Sequence, residues 1–287
     1  MTAPQSSIMI GRLRITLLAD NNAGAPDLLA EHGLSMLIEA DHRRILFDTG
    51  QGRVLSDNLV TLGIRLAPLD AIVLSHGHYD HTGGLSAALQ EGDPSAIFVH
   101  PAAVNQKYAK SEHPPPRSIG IPGPSLEALN RVQARIVWNR SATEIVPGVW
   151  CTGEVPRVHA AEQIEGYFFL DADCREPDPL VDDQALVVET TRGLVVIAGC
   201  AHSGVINTLD HVSKLAGRDE IFALAGGLHL GRASYKQLEE TGNAIGRRDI
   251  QVLAPCHCTG AGAQAYLRGR FHSRVQEVGA GARLVIE

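Results

Sequence analysis

Apolar residues along the chain fall into short blocks separated by turn residues, a texture of strands more than of helices. Residues 13–18 read as a strand that ends in Asp20-Asn21-Asn22, which suits either a plain turn or the rim of a site. Residues 35–39 and 44–47 are two apolar runs with Asp41-His42 between them, the pattern of a hairpin. The second run stops at Asp48-Thr49-Gly50. Residues 57–62 have helical spacing. Residues 71–74 are wholly apolar, as expected of a strand covered on both faces, and they lead straight into Ser75-His76-Gly77-His78. A helix is expected at 85–89 and a strand at 96–99.

From residue 100 to about 124 the pattern breaks. Pro114-Pro115-Pro116 and Ile121-Pro122-Gly123-Pro124 exclude helix interiors and central strands. This stretch is expected as a long surface loop, either a lid over a site or a linker between domains. Beyond it the strand texture resumes at 136–138, 167–170, 185–189, 194–198, 221–224 and 252–253. Helices are expected at 205–215, where Val205, Leu209, Val212 and Leu215 share one face, and at 234–245. Each half meanders first and then alternates strands with helices, which fits two packed sheets with helices outside. With no other linker-like segment, residues 1–287 are expected to form a single domain carrying an insertion at about 100–124.

Composition narrows the function classes. With 44% hydrophobic and 20% charged residues, the chain of 287 can bury a large core and is not a disordered segment. Lys plus Arg total 25 against 32 for Asp plus Glu, a net charge of −7, which argues against a nucleic-acid binder relying on bulk positive charge. No run approaches the roughly 20 apolar residues of a membrane span. The first residues lack a basic segment followed by an apolar one, so no signal peptide is expected. Five cysteines, an odd number, disfavour a disulfide framework, and the cytoplasm is the expected compartment. Histidine stands out, at 13 against 6 Phe and 5 Tyr.

The histidines are not scattered. His76-Gly77-His78-Tyr79-Asp80-His81 places four metal-ligand side chains within six residues, directly after a buried strand. Imidazoles mixed with a carboxylate suit zinc, iron, manganese or cobalt. Three further histidines each follow an apolar strand and a small-residue turn: His202 in Gly199-Cys200-Ala201-His202, His229 in Gly226-Gly227-Leu228-His229, and His257 in Pro255-Cys256-His257-Cys258. Alone, each reads best as a structural histidine; together, at three strand ends, they point to one site. On an extended segment neighbouring side chains oppose each other, so with His257 turned inward Cys256 and Cys258 are expected to face away as buried thiols.

The His76–His81 run, with Thr82-Gly83-Gly84 after it and Asp48-Thr49-Gly50 before it, resembles the metallo-β-lactamase-fold superfamily and its His-x-His-x-Asp-His motif. The Gly-Cys-Ala-His-Ser-Gly, Gly-Gly-Leu-His-Leu and Pro-Cys-His-Cys-Thr-Gly stretches are similar to its 7,8-dihydropterin-6-methyl-4-(ribofuranosyl)aminobenzene-5′-phosphate synthase-like branch. The resemblance implies an α/β fold, an αββα sandwich of two mixed sheets with helices on the outer faces. It also implies two divalent ions, zinc foremost with manganese or iron as alternatives. His76, His78 and His202 would hold the first ion, and Asp80, His81 and His257 the second. Asp48 would be a buried residue that positions the ligand loop. The better-known hydrolases of the superfamily carry a bridging Asp in a Thr-Gly-Asp turn. Here residues 194–198 run instead into Gly199-Cys200, leaving Asp183 or the Cys200 thiolate as alternatives.

The activity so implied is hydrolysis of a small-molecule ester, lactone or phosphoester by a metal-activated hydroxide. Asp80 would orient the nucleophile or relay a proton. His229 would polarise an oxygen or protonate the leaving group, with packing beside the ligands as its alternative role. Lys107, Lys110 and Arg117 on the lid would meet an anionic group or be solvated charges. Tyr79 would line the pocket or pack beneath it, and Trp138 and Trp150 are expected in the core. Two other activities fit the resemblance: a synthase-type transferase joining a pterin methyl carbon to an arylamine, and an iron-dependent redox protein. The partner in each case is a small molecule, with no nucleic acid and no membrane.

Overall fold

The structure, a computed structural model, describes residues 8–110, 115–162 and 167–287. His113 and Pro114 of the proline-rich stretch lie outside the described residues. In the first half the strands are β1 (Leu13–Ala19), β2 (Ser35–Ala40), β3 (Arg43–Phe47), β4 (Ala71–Val73), β5 (Ala96–Val99), β6 (Tyr108–Ala109), β7 (Arg117–Ser118) and β8 (Ile136–Trp138). The second half adds β9 (Thr143–Val146), β10 (Val149–Cys151), β11 (Phe168–Phe169), β12 (Ala185–Thr190), β13 (Gly193–Ala198), β14 (Ile221–Gly227), β15 (Val252–Cys256) and β16 (Arg283–Ile286). The helices are α1 (Leu55–Leu62), α2 (Tyr79–Thr82), α3 (Leu85–Gly92), α4 (Gly123–Arg131), α5 (Val205–Ala216), α6 (Tyr235–Arg247) and α7 (Ala261–Phe271).

One sheet has the order β16-β1-β2-β3-β4-β5-β8 and the other β15-β14-β13-β12-β10-β9. Their inner faces meet in a single apolar cluster: Ile15, Ile38, Phe47 and Val73 from the first pack with Val188, Val195 and Ile197 from the second. The alternation of strand side chains explains the rest of the layering. Ala71 and Val73 of β4 point into that cluster, whereas Ile72 points outward to Leu55, Leu59 and Leu85 of the helices above. On the second sheet Val196 and Leu224 point outward to Leu209, Val212 and Ile245. A strand with both faces covered has no polar positions to spare, which is why residues 71–74 read as a continuous apolar run. The result is the expected αββα sandwich.

Parallel pairing of β3 with β4 and β4 with β5, and of β13 with β14 and β14 with β15, aligns the carboxyl ends of these strands. Helix α5 is held at its start by Glu162, whose carboxylate accepts the Ile206 and Asn207 N–H groups at 2.8 Å each. Its end is closed by left-handed Gly217.

Two expectations need correction. The stretch 100–124 is not structureless: β6 and β7 pair with β11 in a small three-stranded sheet, and α4 starts at Gly123. Pro122 precedes that helix and Pro124 falls in its first turn, where a missing N–H leaves no bond unmade. Trp138 is not in the core. It lies at the edge of the first sheet, on β8, which pairs only with β5, and is 51% exposed. Trp150 is buried as expected and donates its indole N–H to Glu189 at 3.0 Å. Among the described residues, no helix is long and apolar enough to cross a membrane.

Candidate metal centre

The aligned strand ends deliver the polar side chains to one place. Asp48 follows β3, Ser75 and His76 follow β4, Cys200 and His202 follow β13, His229 follows β14, and His257 and Cys258 follow β15. Sites outside the carboxyl ends of parallel strands are the rule in open α/β sheets. Here two sheets contribute to a single site, and they approach closely. A Cβ on Gly199 would fall on the Ser75 hydroxyl and lie 3.0 Å from Asp48 Oδ2.

After β4 the chain turns through Gly77, whose N–H donates to Asp182 Oδ2 at 2.8 Å, and enters the single helical turn of α2. His76 and His81 are fully buried, and His78 and Asp80 nearly so. Asp48 organises this turn. Its Oδ1 accepts the Ser75 N–H at 2.7 Å, and its Oδ2 accepts the Ser75 hydroxyl at 2.6 Å and meets His81 Nδ1 at 2.7 Å. Because Ser75 Oγ spends its proton on Asp48, it accepts one from His76 Nδ1 at 2.9 Å. Both imidazoles therefore turn Nε2 toward the centre, as ligating histidines do when a buried oxygen engages their other nitrogen.

His257 is fixed in the same way from the second sheet. Its backbone N–H donates to Asp20 Oδ1 at 2.9 Å, and its Nδ1 donates to Asn21 Oδ1 at 2.8 Å. The turn after β1 is thus the rim of a site and not a plain turn. The Nε2 atoms of His81 and His257 face each other at 3.2 Å, with Asp80 Oδ2 at 3.7 and 3.4 Å from them and Cys200 Sγ 3.2 Å from His81 Nε2. With both Nδ1 atoms engaged, the two nitrogens share either a proton or a cation. Two nitrogens on one tetrahedral zinc stand roughly 3.3 Å apart, so the spacing fits a shared ion. His76, His202 and Cys200 form a neighbouring group with donor atoms within 4.8 Å of one another. The His78 ring packs 4.5 and 4.9 Å from those of His76 and His202. The buried Nε2 atoms of His78 and His202 have no hydrogen-bond partner, a second sign that the donor set fits a metal.

Electrostatics agree with that division. Burial, followed by the neighbouring imidazoles, pushes His76 and His202 well below the usual histidine range, and burial takes His78 down to about 3. All three offer neutral nitrogens. Burial would also lower His81, but the carboxylates of Asp48 and Asp80 outweigh it and lift it to about 9. Burial would raise Asp80, yet His81, His257 and His32 hold it well below the ordinary carboxylate value.

The structure brings His76, Asp80, His81, His202 and His257 into donor groups and sets His78 against them, its Nδ1 3.0 Å from His76 Nε2; His229 lies beside them, its ring 4.2 Å from that of His202. It does not bring Asp183: that carboxylate accepts the Ser203 N–H at 2.8 Å and belongs to none of the donor groups, whereas Cys200 belongs to three. Cys258 departs from expectation. Residues His257–Thr259 form a 3-10 turn, not an extended segment, and the His257 and Cys258 side chains both approach Cys200. Cys256 does face the core. Lys107 is neither a lid cation nor a solvated one: it is 1% exposed and bound to Asp178 Oδ2 at 2.6 Å and Asp182 Oδ1 at 3.0 Å. Lys110 is exposed, and Arg117 lies over the Tyr79 ring at 5.2 Å.

Sequence reasoning missed His32. It accepts from Asn21 at Nδ1 and sets Nε2 3.2 Å from Asp80 Oδ2. It lies in a polar turn far from any histidine pattern, and nothing local marks it. Beside the donors opens a cleft lined by Phe168, Leu180, Leu228, His202 and His229.

The comparisons with known proteins agree with this geometry. A chain from Methanocaldococcus jannaschii named 7,8-dihydropterin-6-methyl-4-(beta-D-ribofuranosyl)-aminobenzene-5'-phosphate synthase is 29% identical over 95% of this chain and 96% of its own length. The crystal structure of Tm1679, described as a metal-dependent hydrolase of the beta-lactamase superfamily, shares 31% identity with a TM-score of 0.79, covering 95% of this chain and 98% of that one. Zn(2+)-bound PqqB from Methylobacterium extorquens, at 15% identity and a TM-score of 0.55 over 94% of this chain and 99% of that one, shares the fold. A family model for the metallo-beta-lactamase superfamily matches residues 29–206, and the chain belongs to that superfamily.

Proposed function

We propose that the chain is a hydrolase that uses two zinc-class ions to cleave an ester, lactone or phosphoester of a small, anionic molecule. The observation that carries this reading is the pair of facing Nε2 atoms of His81 and His257, 3.2 Å apart with both Nδ1 atoms already engaged. His76, His78 and His202 would hold one ion and Asp80, His81 and His257 the other. Ions held there supply Lewis acidity toward a substrate oxygen and ease deprotonation of water near neutral pH.

The chain's own residues do the rest. Asp80 faces the centre and is the acceptor for the proton of the attacking water, while His32 positions it through Nε2. Phe168, Leu180 and Leu228 wall the cleft and keep bulk water from the reacting group. Arg117 over Tyr79, and Arg232 over Tyr167 at 5.4 Å, are cations stacked on aromatic faces, suited to a phosphate or carboxylate.

A second reading, a transferase joining a pterin methyl carbon to an arylamine, is favoured by the named activity of the M. jannaschii relative, which covers nearly the whole chain. One experiment separates the two. Metal-loaded protein is offered lactones, phosphodiesters and thioesters, and separately a dihydropterin with an arylamine phosphate. Hydrolysis that His78→Ala abolishes, with circular dichroism unchanged, supports the hydrolase. Coupling without hydrolysis supports the transferase, and turnover that survives His78→Ala removes the histidine centre from either mechanism.

A further inference from the structure

A second set of donors lies against the histidines. The sulfurs of Cys200 and Cys258 and a ring nitrogen of His229 all fall within 4.8 Å of one another. Ligands that share one tetrahedral zinc stand roughly 3.3–3.8 Å apart, given bonds of about 2.3 Å to sulfur and 2.0 Å to nitrogen. Closing this cluster on an ion therefore takes a movement of about an ångström or less. We infer that Cys200, His229 and Cys258 form a thiolate-rich metal position, which takes a soft zinc-class ion and leaves one coordination place open to the cleft. It rests on the metal-dependent reading only through Cys200, which it shares with the His76–His202 and His81–His257 groups.

The local structure is built around these three side chains. Cys258 Sγ packs over β14 at Gly227, where a Cβ would stand only 2.7 Å from the sulfur and 3.3 Å from Cys200 Cα. No larger residue leaves room for the two thiols to converge. The His229 N–H donates to Cys258 Sγ at 3.3 Å, and His229 itself has a left-handed backbone with φ 47°. That conformation costs a non-glycine residue about 1 kcal/mol or more, and here it turns the ring back toward the cysteines. Cys200 is buried, whereas Cys258 and His229 are half-buried and His229 borders the cleft, which gives an ion a way in. Two sulfurs and an imidazole select zinc, iron or copper(I) over magnesium or calcium. In this position His229 holds an ion and is not the group that protonates a leaving oxygen.

Cobalt(II) reports the difference, because thiolate ligation adds a near-ultraviolet charge-transfer band that imidazole and carboxylate ligation lacks. Chelator-treated, reduced protein is titrated with Co²⁺ as wild type, as Cys258→Ser, and as Cys174→Ser, a change at a cysteine outside the site. The expected result is a strong band in wild type and Cys174→Ser and a loss of about half its intensity in Cys258→Ser. A visible cobalt spectrum with no near-ultraviolet band, or a band unchanged in Cys258→Ser, overturns the inference and leaves the proposed function standing. No cobalt spectrum at all overturns both. Should Cys258→Ser not fold, X-ray absorption on zinc-loaded wild type decides instead: two sulfurs at about 2.3 Å around one ion support the position, and one sulfur or none rejects it.

Discussion

Asp48 is fully buried in a left-handed conformation, φ 59°, with three hydrogen bonds on its two oxygens. It fixes His81 directly and His76 through Ser75, so its removal should reach the centre without touching an ion. Asp48→Asn is expected to weaken zinc affinity about 10–100-fold, measured by competition with a chromophoric chelator. An unchanged affinity would show that the imidazoles hold their orientation without it. Lys107 works on the same loop from the other side, since Asp182 accepts both its ammonium and the Gly77 N–H. Lys107→Met leaves two buried carboxylates without a counter-charge, a loss of roughly 3–5 kcal/mol by thermal denaturation. The pH dependence follows from the shifts. Burial would raise Asp182, but Lys107 outweighs it and holds it below 3.8. Burial would lower Lys107, but Asp182 and Asp178 outweigh it and hold it above 10.5. The carboxylate contribution is therefore whole above about pH 4 and is lost as pH falls through the depressed folded value; the ammonium contribution is whole below about 10.5 and is lost as pH rises through the raised one. The stability gap between wild type and Lys107→Met should stay level between those limits and shrink in acid. A gap that varied between pH 5 and 9 would assign the triad's stabilisation to other groups. The role of Asp48 was legible through the family resemblance; the Lys107 triad was not, because Lys107 meets partners more than 70 residues away.

Strands and their ends carry the site, and Gly199 is where the two sheets come closest. Gly199→Ala would drive a methyl group into Ser75 and Asp48. Overpacking of this kind costs about 1–3 kcal/mol, and the expected result is a lower melting temperature together with loss of one or both ions by elemental analysis. Full metal content would show that the sheets can part without disturbing the ligands. Elements with both faces covered were readable in advance: β4 and β13 are continuous apolar runs, β12 opens with four apolar residues, and the helical face of Val205, Leu209 and Val212 does pack on a sheet. The unread elements lacked such a pattern. Strands β6 and β7 are two residues each, and β16 alternates exposed and buried positions within only four residues. Helix α4 hides behind its prolines. The histidine motif located the centre, while the Cys258 orientation depended on a 3-10 turn that no spacing rule distinguishes from a strand end.

At the scale of the whole molecule, the donors divide between the layers. His76, His78, Asp80 and His81 follow the first sheet's β4, and Cys200, His202, His229, His257 and Cys258 follow β13, β14 and β15 of the second. Ions bound between them stabilise the docked state by mass action, by about 4 kcal/mol at a thousand times the dissociation constant. Chelation should lower the melting temperature by on the order of 10 °C, reversibly on adding zinc. An unchanged melting temperature would mean that the ions do not join the layers. This division has a consequence for a newly made chain. Neither layer alone owns the donors of either histidine position, so under the proposed function a half-assembled copy would hold neither of those ions and do no chemistry. On that reading chemistry would switch on only once assembly has succeeded, and the ion would serve as its proofreader.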